Sequence, residues 1–165
     1  MQIKRILRHL ATPHWTVRRV FPKALLERIG QAVTASEKTH GGELRFAVEG
    51  GLELGALMRG QSPRSRALEL FSRLRVWDTE QNCGVLIYVQ LVDRKLEIVA
   101  DRGVSALVPT EEWRAICVRM ERAFGRGQFE AGSLAALEEV TRLLQAHFPV
   151  RGSRPNELPD QPLVL

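Results

Sequence analysis

Polar and apolar positions alternate along residues 43–49. Leu44, Phe46 and Val48 fall on one side, and Glu43, Arg45 and Glu49 on the other. A period of two is the spacing of a strand with one face on the core. Val85 to Val89 is instead an unbroken apolar run, the pattern of a strand covered on both faces. A turn at Asp93-Arg94 leads into residues 95–100, which alternate again and fit an edge strand. The rest of the chain reads as helices packed on this hairpin.

Helical periods flank the strands. Pro22 precedes a helix over 23–37 with Leu25, Leu26, Ile29 and Val33 on its buried side. Ser62 is a good N-cap and Pro63 a good first helical residue for a helix to about Leu74, burying Ala67, Leu68, Phe71 and Leu74. Residues 52–63, with Leu52, Leu54 and Leu57, read as a loop partly covering the core, and 75–81 as a polar loop. Thr110 is expected to cap a helix carrying Trp113, Ile116, Cys117, Met120 and Phe124. A last helix carries Leu134, Leu137, Val140, Leu144 and Phe148. The order predicts an α/β sandwich with a small mixed sheet, in which a parallel β-α-β crossover is extended by an antiparallel hairpin.

Residues 2–10 form a separate pattern. Ile3, Ile6, Leu7 and Leu10 share one helical face, with Lys4, Arg5 and Arg8 off it. Three regions follow: a basic arm over 1–23, an α/β domain over 24–148, and a Pro-rich tail over 149–165 expected to be extended and mobile. Addition of Leu163-Val164-Leu165 to a sheet edge is the alternative for that tail. The net charge of +5 belongs to the arm, since residues 1–26 hold six bases and no acid and the remainder 18 bases against 19 acids. Lys4, Arg5, Arg8, Arg18 and Arg19 are thus candidates for contact with a membrane surface or a membrane-protein partner. Docking of the arm on its own domain is the competing reading. Nucleic acid is not expected, because Trp15 is the only aromatic interleaved with these bases.

No apolar run reaches the ~18 residues of a spanning helix, and no signal-peptide pattern opens the chain, so a cytoplasmic protein, peripheral to the inner membrane when attached, is expected. Cys83 and Cys117 lack CxxC spacing and read as small buried hydrophobes. His9, His14, His40 and His147 lack ligand spacing and are expected at surface or cap positions. Trp77 and Trp113 are expected in or beside the core. No GxSxG, P-loop, HExxH or GxGxxG is present.

The predicted topology brings three loops to one end of the sheet: 37–43, 78–82 and 101–103. They carry Glu37, Glu43, Asp78, Glu80, Asn82, Asp101 and Arg102. Clustered carboxylate and amide oxygens suit Ca2+ or Mg2+, which makes Glu37, Glu43, Asp78, Asn82 and Asp101 candidate metal ligands. Solvated acidic loops, with Asp101 and Arg102 making only turns or ion pairs, are the competing reading.

Several of these stretches together resemble the TPM domain family. They are Glu37 to Glu49, Asn82-Cys83-Gly84-Val85-Leu86 and the strand running to Val89, Asp101-Arg102-Gly103, and Arg126-Gly127-Gln128-Phe129 with Gly132. The resemblance spans about 24–148. Trp77-Asp78-Thr79-Glu80 and Asn156-Glu157-Leu158-Pro159-Asp160 are similar to a short bacterial branch of that family. The resemblance implies a three-layer α/β/α sandwich with an acidic loop edge. It implies divalent cation binding in some members, acid phosphatase activity in a plant thylakoid-lumen branch, and membrane anchoring in many bacterial members. The chain departs where the family carries G-x-G-L-E-G, since here Asp101-Arg102-Gly103-Val104-Ser105 stands and the Glu is absent.

Two functions are therefore expected to compete. One is a non-catalytic TPM-like binding module at the cytoplasmic membrane face or on a membrane-protein partner. The other is a divalent-metal-dependent phosphomonoester hydrolase, with the cation on Asp78 and Asp101 and Arg102 as the candidate catalytic residue on the phosphate. The sequence does not define an oligomeric state.

Overall fold

The predicted hairpin lies inside a four-stranded sheet in this computed structural model, which describes residues 2–13, 15–150 and 155–165. His14 lies outside the described residues. The strands are β1 (Glu43–Glu49), β2 (Gly84–Gln90), β3 (Lys95–Ala100) and β4 (Leu163–Val164), in the order β3-β2-β1-β4. β1 and β2 are parallel, with Glu43 opposite Gly84, whereas β2 and β3 are antiparallel, with Val85 opposite Ala100. All of β2 is buried, as its unbroken apolar run requires.

Around the sheet stand α1 (Gln2–Leu10), α2 (Trp15–Val20), α3 (Lys23–Glu37), α4 (Leu54–Met58), α5 (Pro63–Arg73), α6 (Arg102–Ser105), α7 (Thr110–Gly125) and α8 (Phe129–His147). The period-two pattern sorts the side chains between two cores. Leu44, Phe46, Val48, Val85, Ile87 and Val89 pack with α3, α7 and α8 in one cluster. Ala47, Leu86, Tyr88 and Val99 pack with Ala67 and Leu70 of α5 in the other. This is the three-layer α/β/α arrangement. Phe21, fully buried, sits 5.9 Å from Phe124 and 6.0 Å from Phe129 between ring centroids and joins the arm's end to the larger core.

Several expectations are corrected. Residues 54–58 are helical rather than loop, and Leu52, Ala56 and Leu57 form a small core with Ile6 of α1. In α5 the buried position is Leu70 and not Leu68, because 67, 70, 71 and 74 follow the three-and-four spacing of one helical face. Trp77 is about half exposed rather than core. Pro109, not Thr110, occupies the N-cap of α7. His9 and His40 are buried rather than surface residues.

The tail is not free over 155–165. Leu158 enters the smaller core, Leu163 pairs with Ala47, and the Leu165 N–H donates to the Val48 carbonyl at 2.9 Å. Arg45 fixes it from the sheet by donating to the carbonyls of Pro159 and Gln161. One buried leucine and these hydrogen bonds hold the segment against the sheet.

Candidate functional site

The three predicted loops do meet at one end of the sheet, yet several of their polar groups are bonded to one another or to the tail. Arg102 Nε donates to Asn82 Oδ1 at 3.0 Å, and the Gly103 N–H donates to the Asn82 carbonyl at 3.1 Å. Asp101 N-caps α6, accepting the Arg102 N–H at 2.7 Å on Oδ1. Its Oδ2 is buried without a hydrogen-bond partner among the described residues. Asn82 itself has a positive φ of 52°, which an Asn tolerates better than most residues. Two residues on, Gly84 leaves no room for a side chain, since a Cβ there would lie 1.9 Å from the Val76 carbonyl oxygen.

Glu37 and Glu43 belong to a separate group with the tail. Glu37 Oε1 accepts the Leu44 N–H at 2.8 Å, and Glu43 Oε2 accepts the Leu158 N–H at 3.2 Å. Asp160 accepts from Thr34 Oγ1. These residues line a pocket of about 290 Å³ with His40 and Asn156. Burial, with Glu43 and Asp160 nearby, pushes the Glu37 carboxyl up to about 8 against the Leu44 hydrogen bond, so it is largely protonated at neutral pH.

His40 and Ser36 lie 2.7 Å apart, a distance that suits a base and nucleophile. The surrounding hydrogen bonds argue otherwise. His40 Nδ1 accepts the Gly42 N–H at 3.1 Å, so Nε2 carries the proton and donates to Ser36 Oγ. Ser36 then donates to Thr141 Oγ1, which donates to the Leu137 carbonyl at 2.6 Å. Burial lowers the His40 imidazole to about 4. The chain is a neutral buried tie between α3 and α8, with no free lone pair on the imidazole to take the serine proton.

The residues proposed for Ca2+ or Mg2+ do not fit that ion as folded. Asp78 is exposed on its loop and 3.9 Å from Arg75, and Glu80 is also exposed. Asn82 is taken by Arg102, and Glu37 is held toward its neutral form. Among the described residues no group of three or more His, Cys, Asp or Glu is placed to hold a metal ion. Hard cations need six or more oxygens around one point.

The arm is built the other way round. α1 lies against the β2–β3 turn by its Arg5 and His9 side. Arg5 Nη2 donates to Asp93 Oδ2 at 2.7 Å and to the Gln61 carbonyl at 2.8 Å. His9 Nδ1 accepts the Leu52 N–H at 2.9 Å, which leaves Nε2–H to donate to Asp93 Oδ1 at 3.1 Å. A Cβ on Gly51 would lie 2.8 Å from the His9 carbonyl oxygen, so the contact is backbone-close. Burial opposes ionisation of Asp93, but the hydrogen bonds from Arg5 and His9 prevail and hold its carboxyl below the usual range.

Docking by the Arg5 and His9 side turns the apolar stripe outward. Ile3 is 74% exposed, Leu7 60% and Leu10 57%, and Trp15 at the start of α2 is 59% exposed. Only Ile6, at the edge of the stripe, reaches the small core. Lys4, Arg8, Arg18 and Arg19 are exposed on the same two helices. Of the five bases predicted for contact, Arg5 is held inward by Asp93 and the Gln61 carbonyl, while Arg8 reaches the same carboxylate at 3.4 Å with its side chain still mostly exposed. Sequence reasoning read Asp93 only as a turn residue and missed its role, because nothing in local spacing links it to residues 84 and 88 positions earlier.

The model of the TPM domain matches residues 18–143. The chain belongs to the TPM domain family. Solved structures share its fold. The BA42 protein from the psychrophilic bacterium Bizionia argentinensis superposes with a TM-score of 0.74 at 26% identity, covering 86% of this chain and 92% of that one. The N-terminal domain of a protein from P. gingivalis does so with a TM-score of 0.60 at 19% identity, covering 87% and 97%. No curated protein matches. In this TPM domain no helix among the described residues is long and apolar enough to cross a membrane.

Proposed function

We propose that this TPM domain is a non-catalytic binding module that attaches peripherally to an anionic membrane surface through α1 and α2. The observation that carries this reading is the outward stripe of Ile3, Leu7 and Leu10 on a helix docked by its polar side. A helix that only needed to pack on its own domain would bury these residues, at about 1.5–3 kcal/mol for each large side chain. Leaving them in water beside Trp15 and four bases is the composition of an interfacial helix. Lys4, Arg8, Arg18 and Arg19 at about 1 kcal/mol each near an anionic surface give roughly a thousandfold in partitioning, before any apolar contribution. Arg5 contributes to position rather than to contact, since Asp93 holds its guanidinium.

Among the described residues the metal-dependent phosphomonoesterase reading lacks a ligand set at the loop edge. Co-sedimentation with vesicles tests the attachment. Binding to phosphatidylglycerol-containing vesicles, weak binding to phosphatidylcholine, and loss of binding in Arg8→Glu/Arg18→Glu/Arg19→Glu are expected. Equal binding to both vesicle types, or none to either, would refute it.

A further inference from the structure

A second hollow lies inward of the attachment surface. Between α2, the β2–β3 turn and the α7–α8 junction there is a pocket of about 290 Å³ whose apolar walls include Val20, Leu91, Leu96, Phe124 and Phe129. Thr16, Leu91 and Arg94 line this pocket and also a hollow of about 410 Å³ that Arg8, Thr12 and Val92 complete, so the two adjoin. An apolar interior thus opens toward a rim that bears guanidinium groups.

The rim charge is real after pairing is counted. Glu121 also lines the pocket, but it is answered by Lys95 at 3.3 Å and by the Leu96 N–H at 3.4 Å. Arg8 reaches Asp93 only at 3.4 Å, and Asp93 already serves Arg5 and His9. Arg94 forms no ion pair among the described residues, and its backbone is left-handed with φ 53°. Gly or Asn would occupy that turn at less cost. An arginine there carries a long cation to the pocket rim instead.

We propose that this pocket binds the single aliphatic chain of an anionic amphiphile, with the chain among Val20, Leu96, Phe124 and Phe129 and the anion on Arg94 and Arg8. The volume lies at the low end of the ~300–1,000 Å³ range of ligand sites, which suits one chain and not two. A carboxylate or a phosphate satisfies the same two guanidiniums, so a free fatty acid and a single-chain membrane lipid share this chemistry. The inference is independent of vesicle attachment, because the pocket can fill from solution.

The test is a residue-resolved NMR titration of the full chain with dodecanoate below its micelle-forming concentration, repeated with lauroyl lysophosphatidate, dodecyltrimethylammonium and inorganic phosphate. Saturable shifts at Thr16, Val20, Leu91 and Phe124 with either anionic amphiphile support the site. Tighter binding of dodecanoate or of the lysolipid then assigns the source. Arg94→Gly suits the backbone and is expected to keep the fold while weakening dodecanoate about tenfold. Equal affinity for dodecyltrimethylammonium, the same shifts with phosphate alone, shifts that do not saturate, or unchanged dodecanoate affinity in Arg94→Gly would overturn the proposal.

Discussion

At the loop edge Asp78 and Glu80 are exposed, but the remaining acids and amides are largely engaged by the chain itself. Glu37 and Glu43 take backbone N–H groups, Asn82 takes Arg102, and the tail covers what is left with Asn156 and Asp160. At the arm the polar side is the buried one, and Ile3, Leu7, Leu10 and Trp15 face solvent with Lys4, Arg8, Arg18 and Arg19. The first region spends its chemistry on holding the fold together, whereas the second keeps chemistry available for something outside it. A charged cluster is thus a poor guide to function until the partners of each group are known, and an exposed apolar stripe on a well-anchored helix is a better one.

Lesions in the two regions should therefore differ in kind. The largest stability effect belongs to the edge. Gly84→Ala drives a Cβ into the Val76 carbonyl and should cost about 3 kcal/mol or more in chemical denaturation. A loss under 1 kcal/mol would mean that the turn relaxes and the edge is softer than described. Leu158→Ala, which removes the tail's insertion into the smaller core, should cost about 2 kcal/mol and raise proteolysis within 155–165. Unchanged proteolysis would show that the tail is held by its hydrogen bonds alone. Asp93→Ala should free α1 from the β2–β3 turn, at about 2 kcal/mol for charge-assisted hydrogen bonds lost from a nearly buried carboxylate. Faster hydrogen exchange confined to residues 2–20 is the expected sign, and exchange rising across the sheet would contradict a local anchor.

The pocket beside the tail should also show a pH dependence. Glu37 has its folded pKa raised from 4.5 to about 8, so its contribution is fully present below about 4.5 and is lost as pH rises through about 8. Stability should fall across that window, and Glu37→Gln should flatten the fall. An equal slope in the variant would assign it to another group.

Much of the frame was legible because it rests on periodicity. The two-residue period of Leu44, Phe46 and Val48, the unbroken run from Val85 to Val89, and the spacing of Ile116, Met120, Val140 and Leu144 each name a buried face without tertiary information. α4 and α6 were not, since 5 and 4 residues are too few to show a period. The meeting of the three loops followed from strand direction, but whether their oxygens would converge on a cation did not. That depended on Arg102 reaching Asn82 and on the tail returning to Glu43, contacts 20 and 115 residues apart in sequence. At the arm the amphipathic pattern was plain, and its orientation was not. Asp93, 88 positions from Arg5, decides which face of α1 is buried.

The outward face of α1 and α2 is tested most directly by Trp15. In a Trp77→Phe variant, with Trp113 buried in the core, Trp15 is the exposed indole. Its fluorescence should shift to the blue in phosphatidylglycerol vesicles and be quenched by lipids brominated in the acyl chain, as expected of a ring seated at the headgroup–acyl boundary. Vesicle-bound protein whose Trp15 keeps its aqueous emission and escapes quenching would contradict the account, because attachment would then run through another surface.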